Sequence, residues 1–386
     1  MKNNKGITLV ALVVTIVVLL ILAGVSINLV LGNNGIIAKA KEAETKSAEA
    51  SQNDLKGMNG LVSEMEGALA GNGSTGSGSG NGNTGSGNNF VTKNTEVTYP
   101  DGKVWIPEGF KVADDSASTV QGGVVIEDKD RNQFVWVPVA TLADYKRTAY
   151  STNVATEETD TATNSIKINY SSSKNSEYFT EALPEDEKTS VERYKGFYIG
   201  RYEAGDKENT EAKTLRSSND VTKTVTIKAN QAPYNYVTRT QAVSLAEGFA
   251  TKQGYKAKTK LVSSYAWDTT IAFMQKVNSD YGSSSEEGNY KDTTFSYTDI
   301  TGARQTKAKN SNVLVPTGQT TPVCNIYDMG GNVFEWTTES CSNTDYPYAR
   351  RGGFYYYIFA NIPAGFRDDG SDDADDGDGF RLTLFM

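Results

Sequence analysis

Aromatic and acidic side chains crowd the end of this 386-residue chain, where they could form a recognition surface or a cation site. Tyr355, Tyr356 and Tyr357 stand in a row, and seven aspartates follow within residues 368–378. Aromatic rings supply rigid contact area for binding, and carboxylates supply hydrogen-bond acceptors and negative charge. Residues 354–378 contain those seven Asp and one Arg, so their formal charge of −6 suits a cationic partner.

Side chains for other chemistry are scarce. The chain has no His, which excludes Ser-His and Cys-His nucleophilic pairs and His-ligated zinc. Cys324 and Cys341 are the only cysteines, and they fit either one disulfide or two buried thiols. The net charge of −9 disfavours phosphate backbones, so we expect no nucleic-acid partner.

The acidic run could instead bind calcium. An EF-hand loop needs Asp at alternate positions, but a loop starting at Asp372 has Ala374 in its third place. We therefore assign no catalytic residue, no metal ligand and no cofactor. A looser structural calcium site, a solvated acidic loop without a role, and burial of the aromatic run as a strand stay open as alternatives.

The residue types between Gly353 and Gly379 follow the genetic code more closely than any folding rule. Glu, Lys, Gln, Met and Trp are absent there, although the rest of the chain uses all five. Every residue of 354–378 can be encoded by a codon whose third base is C, and the five absent types cannot. Folding gives no reason to admit Asp seven times and Glu never.

The composition along the chain predicts four parts. Residues 1–6 are a short basic leader, and residues 7–70 are an apolar helix with a charged, Ala-rich continuation. Residues 71–89 are a flexible linker of Gly, Ser and Asn, and residues 90–386 are one folded unit. Ile7–Leu31 is long enough to span a bilayer, which takes about 20 residues. The lysines before it keep the N-terminus cytoplasmic and place the rest outside.

Within residues 90–386, the pattern predicts an α+β fold. We expect strands in 104–110 and 134–140, a strand pair in 194–205, and helices over 239–254 and 264–282. Polar, Thr/Ser/Asn-rich loops are expected in 150–190 and 206–230. In NIYDMGGNVFEWTTE, residues 325–339, the glycines and Asn332 predict a turn with positive φ, followed by a strand over 333–337.

The leader that ends in Gly6 before Ile7 resembles that of a type IV prepilin. The resemblance implies cleavage between Gly6 and Ile7, and a helix that anchors the protein in a membrane or packs with other pilin subunits. The family usually has Glu at the fifth mature position, where this chain has Ala11. The resemblance therefore implies anchoring more directly than fibre assembly. A plain membrane anchor and a cleaved signal peptide are the alternatives.

Motifs in the folded unit resemble the sulfatase-modifying-factor family, whose formylglycine-generating-enzyme-like domain is a variant of the C-type lectin fold. The matching stretches are VWIP, YKGFYIGRYE, NIYDMGGNVFEW, RRGG and GFRL, in the family's order. The resemblance implies a C-type lectin-like fold. Active members have a Cys pair shortly after RGG, but residues 354–386 contain no Cys. The fold is thus expected without the enzymatic activity.

The stretch between RGG and GFR resembles the variable region of target proteins of diversity-generating retroelements, in which template adenines are mutated. The resemblance implies fixed positions at Pro363, Ala364, Gly365, Ser371 and Ala374, and leaves Phe366 and Arg367 open. The implied ligand-binding, variable positions are Phe354, Tyr355, Tyr356, Tyr357, Ile358, Phe359, Ala360, Asn361, Ile362, Asp368, Asp369, Gly370, Asp372, Asp373, Asp375, Asp376, Gly377 and Asp378.

Together these features predict a surface-displayed binding protein of the adhesin or receptor type, and not an enzyme. Its domain is expected outside the cell, on a single-pass membrane helix or a pilus. Its partner would be a protein or glycan on another cell, a phage or a host surface. The alternatives are a formylglycine-generating-type oxidase, and a minor structural type IV pilin with a fixed ligand or calcium site.

Overall fold

The computed structural model describes residues 89–172, 175–283, 287–358 and 361–386. The predicted leader, the cleavage site at Gly6 and Ile7, and the apolar run lie outside the described residues, as do the linker residues up to 88. Within the described ranges, no helix is both long enough and apolar enough to cross a membrane.

The described part of the chain is rich in strands and has few helices, as expected for an α+β fold. The helices are α1 Glu185–Tyr194, α2 Lys207–Ala212, α3 Arg239–Gln253 and α4 Ser264–Met274. The strands are β1 Thr95–Tyr99, β2 Gly102–Ile106, β3 Lys111–Val112, β4 Val125–Glu127, β5 Gln133–Pro138, β6 Ala155–Asp160, β7 Ser165–Tyr170, β8 Glu177–Thr180, β9 Gly196–Gly200, β10 Gly205–Asp206, β11 Val225–Thr226, β12 Ala232–Pro233, β13 Lys258–Leu261, β14 Phe295–Thr298, β15 Arg304–Lys307, β16 Phe334–Cys341, β17 Tyr348–Arg351, β18 Arg367–Gly370, β19 Asp378–Phe380 and β20 Leu382–Phe385.

A six-stranded sheet with the order β13-β20-β9-β5-β4-β3 carries the main core. The last strand of the chain, β20, lies between β13 and β9, with Thr383 opposite Ile199. All five residues of β9 are buried. A sheet that is covered on both faces needs apolar residues at successive positions, so the continuous apolar runs of β5 and β9 form its centre.

Helices α3 and α4 cover opposite faces of this sheet. Leu245 and Phe249 of α3 pack in the same cluster as Tyr198. Trp267 of α4 packs in the other cluster, together with Ile199. Neighbouring residues of β9 thus belong to different clusters, because successive strand residues point to opposite faces.

Local capping sets the ends of both helices. Thr238 and Gln241 form a capping box before α3, and Gly254 ends the helix with φ of 76°. The Ser263 side chain accepts a hydrogen bond from the Ala266 N–H before α4. Helix α4 ends at Met274 rather than at the predicted residue 282. The residues that follow include exposed Val277 and poor helix formers, so nothing favours another turn.

The second sheet joins the middle of the chain to its end. Its strands follow the order β18-β17-β16-β8-β7-β6, and β19 pairs in parallel with β16. Phe334 lies opposite Asp378, and Trp336 lies opposite Phe380. Both ends of the predicted variable region are therefore attached to the same strand system, through β17 and β19.

Three predictions from the sequence differ from the structure. The polar stretch 150–190 forms β6, β7, β8 and α1 rather than loops. Its Ile166 and Ile168 are buried, and β-branched threonines fit the pleated strands. The stretch 206–230 likewise contains α2 and β11. Of the strand pair predicted in 194–205, the first strand is β9, and the second is only the start of β10 at Gly205, which pairs with β11 and β12 in a separate sheet.

A fully buried ion pair lies between the two sheets. The Arg381 guanidinium bonds both oxygens of Glu335, with Nε–Oε2 at 2.8 Å, and neither side chain is exposed. Arg381 also donates to the carbonyls of Gly200 and Tyr327. These contacts satisfy the guanidinium in a place that water does not reach.

We expect Arg381→Met to lower the free energy of unfolding by about 3–5 kcal/mol, because it leaves the Glu335 carboxylate buried without its partner. Lys103→Met is the matched control, since Lys103 pairs with Glu96 at 2.7 Å but is 60% exposed. That change should stay within about 1 kcal/mol. Denaturant unfolding of the full chain measures both, and equal losses would contradict a structural role for the buried pair.

Candidate binding face

Two glycines turn the chain out of β17 and into the predicted variable region. Gly352 and Gly353 have φ of 92° and 69°, which side-chain-bearing residues rarely adopt. A Cβ on Gly353 would also lie 2.3 Å from the carbonyl oxygen of Ile362. The RRGG motif therefore places the following residues at the surface, beside the edge of the sheet.

Residues 354–358 form an exposed aromatic loop. Tyr356, Tyr357 and Ile358 are 53%, 49% and 38% exposed. Phe354 points inward, and its ring centroid lies 5.0 Å from that of Phe334. The alternative of a buried strand is therefore wrong for this run.

Hydrogen bonds hold the aromatic loop in one conformation. The Tyr355 N–H donates to the Asn332 carbonyl at 3.1 Å, and the Lys291 N–H donates to the Tyr357 carbonyl at 2.8 Å. The Lys291 ammonium lies 5.5 Å from the Tyr356 ring centroid. The rings are thus presented on a backbone that is fixed at two points.

The next stretch returns to the core. Ile362, Ala364 and Phe366 are buried, and the Trp267 Nε1–H donates to the Ala364 carbonyl at 2.9 Å. Pro363 and Gly365, which were predicted to be fixed positions, are buried as well. Ile362, which was predicted to contact ligand, packs against β-sheet residues instead.

Arg367 anchors this stretch from below. It bonds Glu339 through Nε at 3.0 Å, Glu157 through a terminal nitrogen at 2.7 Å, and Asp268 through the other. Burial alone would lower the pKa of Arg367, but the carboxylates of Asp268, Glu339 and Glu157 raise it well above its ordinary value. Burial raises the pKa of Glu157. Arg367 and Phe366, which the sequence left open, are core residues.

The aspartates that follow differ in their surroundings. Asp368 and Asp378 both bind Arg350, with closest distances of 2.9 Å. Asp369 is buried, and it accepts a hydrogen bond from the Asn343 side chain at 2.8 Å. These three carboxylates contact protein groups. The sequence predicted that Asp369 and Asp378 would contact ligand, but both are buried.

Residues 371–377 form an acidic loop at the surface. Its exposed members are Asp372, Asp373, Asp375 and Asp376. The Tyr355 hydroxyl donates to Asp376 Oδ2 at 2.9 Å, which joins the acidic loop to the aromatic loop. We call the exposed surface of these two loops the binding face.

Asp375 and Asp376 in the acidic loop share a hydrogen bond between their carboxyl groups. This bond raises the pKa of Asp376 above its ordinary value and lowers the pKa of Asp375. The protonated Asp376 carboxyl is therefore the donor in this bond, and the ionised Asp375 carboxylate accepts. Asp372 accepts two hydrogen bonds from Thr240, at 2.9 and 2.6 Å, in the first turn of α3. The partial positive charge at this end of the helix attracts the Asp372 carboxylate.

Two predicted variable glycines lie against large rings. A Cβ on Gly370 would come within 2.7 Å of the Trp336 ring, and one on Gly377 within 2.7 Å of the Phe354 ring. Both glycines are buried and cannot contact a ligand through a side chain. Asn361 is half-buried. Phe359 and Ala360 lie outside the described residues.

The described ranges contain no group of three or more His, Cys, Asp or Glu side chains that could hold a metal ion. Within the segment, Asp368 and Asp378 both pair with Arg350. The aspartates that remain at the surface make hydrogen bonds to nearby protein groups.

The two cysteines are buried and do not form a disulfide with each other. Cys324 packs below the six-stranded sheet, and Cys341 packs with the residues of the second sheet. The sequence allowed either one disulfide or two buried thiols, and the structure contains two buried thiols. Burial raises the pKa of Cys324 to about 11, so this group is protonated at neutral pH and is a poor nucleophile.

Arg350 and Lys291 were missed as site residues. Lys291 precedes Tyr357 by 66 positions (357 − 291), and only the fold brings its N–H within hydrogen-bonding distance of the Tyr357 carbonyl. For Arg350 the only sequence signal was a second Arg beside Arg351 in RRGG. That doublet did not indicate which of the two points toward the surface.

The chain matches no protein-family model and no curated protein. Three solved structures are similar over nearly their whole length. The crystal structure of CarF is 14% identical with a TM-score of 0.36, and covers 66% of this chain and 99% of its own. PvdO from Pseudomonas aeruginosa is 14% identical with a TM-score of 0.38, covering 68% and 98%. Treponema denticola variable protein 1 is 13% identical with a TM-score of 0.30, covering 66% and 96%.

Asp378 predicts a dependence of stability on pH. Burial raises its pKa to about 6, although Arg350 opposes the shift. An unfolded Asp has a pKa of about 3.9, so the folded state binds this proton more tightly. The resulting stabilisation is complete below about pH 4 and is lost as the pH rises through about 6.

The Asp378→Asn protein cannot titrate at this position. As the pH falls from about 7.5 to about 4.5, the free energy of unfolding of the unmodified chain should rise by about 2 kcal/mol relative to that variant. Denaturant unfolding of both proteins at the two pH values measures the difference. The opposite trend would mean that the attraction of Arg350 outweighs burial.

The exposed loop should tolerate replacement, and the buried stretch should not. We expect the combined change Tyr356→Ser, Tyr357→Ser and Ile358→Asn to alter the free energy of unfolding by less than about 1 kcal/mol, because these side chains face solvent. Phe366→Ala should cost about 3–5 kcal/mol through the cavity that it leaves. Thermal and denaturant unfolding test both, and a large loss in the triple variant would show that the loop is part of the core.

Proposed function

We propose that this protein displays a diversified binding face on a C-type lectin-like domain, and that a diversity-generating retroelement varies that face. The supporting observation is that the codon regularity of residues 354–378 coincides with an exposed surface held by buried residues on both sides. The face binds a ligand and does not catalyse a reaction.

The exposure of the loops favours a genetic origin for the composition. Positions such as Tyr356, Asp373 and Asp375 face solvent. Lys and Glu are the residues that such positions most often carry, and folding would accept them there. Neither type occurs anywhere in the segment. A mutational process that leaves the third codon base unchanged accounts for their absence, whereas packing does not.

The chemistry of the face suits binding to a cationic protein or glycan surface. Exposed tyrosines provide large, rigid contact area at low entropic cost. The aspartates beside them add negative charge, which steers a positively charged partner and makes its association rate depend on salt. An exposed apolar patch of this kind typically marks an interaction site.

The motifs that suggested the lectin-like fold lie on neighbouring strands. YKGFYIGRYE contributes β9, which pairs with β20, and GFRL runs from β19 into β20. NIYDMGGNVFEW leads into β16, which pairs with the β17 strand of RRGG. Contacts between these stretches support a domain of that family. The high pKa of Cys324 and the lack of Cys after RRGG argue against an oxidase.

Display at the cell surface is the natural setting for such a face. The apolar run Ile7–Leu31 would anchor the protein as a membrane or pilin-like helix, and residues 71–89 would give the domain reach. The partner would then be a molecule on another cell, a phage or a host surface.

Sequencing this gene in a population of its source strain tests the proposal. We expect substitutions to cluster in codons 354–378, at first and second positions, with a near-copy of the segment and a reverse transcriptase gene nearby. The exposed hairpin of β14 and β15 is the internal control, because its codons should not vary. Invariant codons in 354–378 without a nearby template would overturn the proposal.

The packing of individual residues predicts which positions within the segment will vary in the same sequences. Gly370 should stay constant because Trp336, its neighbour, lies outside the segment. Gly377 should vary together with residue 354, since a side chain at 377 needs the space that the Phe354 ring now fills. Arg367 should be retained in every variant, because its carboxylate partners come from outside the segment.

A further inference from the structure

Arg350 lies where the separate parts of the predicted variable region meet. Its Nε bonds Asp368 at 2.9 Å, and a terminal nitrogen bonds both oxygens of Asp378 at 2.9 and 3.1 Å. Arg350 itself precedes the RGG motif and lies outside the segment 354–378. A cation outside the segment is thus neutralised by two residues that are predicted to vary.

Other contacts hold Arg350 in place without the aspartates. Its guanidinium carbon lies 4.5 Å from the Phe334 ring centroid, and its backbone pairs with Trp336 across β16 and β17. The same Phe334 ring packs against Phe354, the first residue of the aromatic loop. The side chain of Arg350 is 25% exposed, so it can reach solvent beside the binding face.

We propose that Arg350 is an anion-binding group built into the binding face and masked in this sequence by Asp368 and Asp378. This inference rests on the proposed function, because its use requires that positions 368 and 378 vary. The ligand group would be a carboxylate, sulfate or phosphate. The planar, forked guanidinium can bind these groups through paired hydrogen bonds. Its donors are now taken by the masking aspartates.

Two positions therefore set the sign of the charge beside the aromatic rings. With Asp at 368 and 378, Arg350 is neutralised and the face is acidic. With neutral residues at both, the face presents a fixed cation next to exposed tyrosines. A library built on this scaffold would contain binders of cationic and of anionic surfaces without any change in the scaffold.

Arginine-specific labelling of the full chain with phenylglyoxal, read for the Arg350 peptide by mass spectrometry, tests the masking. Asp368→Asn with Asp378→Asn should accelerate labelling of Arg350 about tenfold, because charge-assisted hydrogen bonds are lost. Asp372→Asn with Asp373→Asn is the matched control. It changes the net charge equally at exposed positions, and it should leave the labelling rate of Arg350 unchanged.

Protection by inorganic phosphate tests anion binding. Phosphate should slow the labelling of Arg350 in the Asp368→Asn, Asp378→Asn protein and leave the slow rate of the unmodified chain unchanged. Sulfate should act in the same way. Equal labelling of Arg350 in the unmodified chain and the double variant would overturn the inference, as would equal acceleration in the control. So would an absence of phosphate protection.

Circular dichroism would show whether the double variant folds. If it does not, Asp368→Asn alone serves, because Asp368 is 24% exposed and its loss leaves Asp378 in place. Labelling should then rise by a smaller factor, and an unchanged rate would overturn the inference. The two proposals fail in different experiments. Invariant codons in the population would overturn the proposed function, whereas only the labelling rates decide whether Asp368 and Asp378 mask Arg350.

Discussion

A buried network of ion pairs holds the strands from which the binding face extends. Arg351 and Arg367 share the carboxylate of Asp268, and Arg367 also binds Glu339 and Glu157, with all five side chains inaccessible to solvent. Isolated charges are costly to bury, so each member requires the others to be in place. The network joins β17 and β18, which flank the aromatic loop, to helix α4 and strands β6 and β16.

This arrangement separates the buried residues that hold the segment from the exposed residues that could contact a ligand. Between the buried anchors at Arg351 and Arg367, the exposed residues among those that the structure describes belong to the aromatic loop. Between Gly370 and Asp378 the chain emerges again as the acidic loop. The binding face is therefore two short excursions from a rigid sheet. Such excursions can change composition at little cost in stability, as loops on a fixed scaffold do in other binding proteins.

Much of the fold followed from local patterns. The apolar runs predicted the strands β5 and β9, and helical spacing with a final Gly predicted α3 almost to the residue. The strands β6 to β8 were missed because their sequence is polar. Their stability comes from pairing with one another and with β16, which lies far along the chain. Pairing partners at that distance leave no local signal.

The sequence by itself determined the limits of the segment that we propose to be diversified, the types of residue it contains and the absence of imidazole chemistry, because composition and the genetic code need no fold. Only the tertiary structure decided what each residue does. Asp372, Asp376 and Asp378 are the same residue type, yet one bonds the first turn of α3, one bonds a tyrosine and one neutralises an arginine. Their partners lie 132, 21 and 28 positions away, and only folding brings such groups within hydrogen-bonding distance.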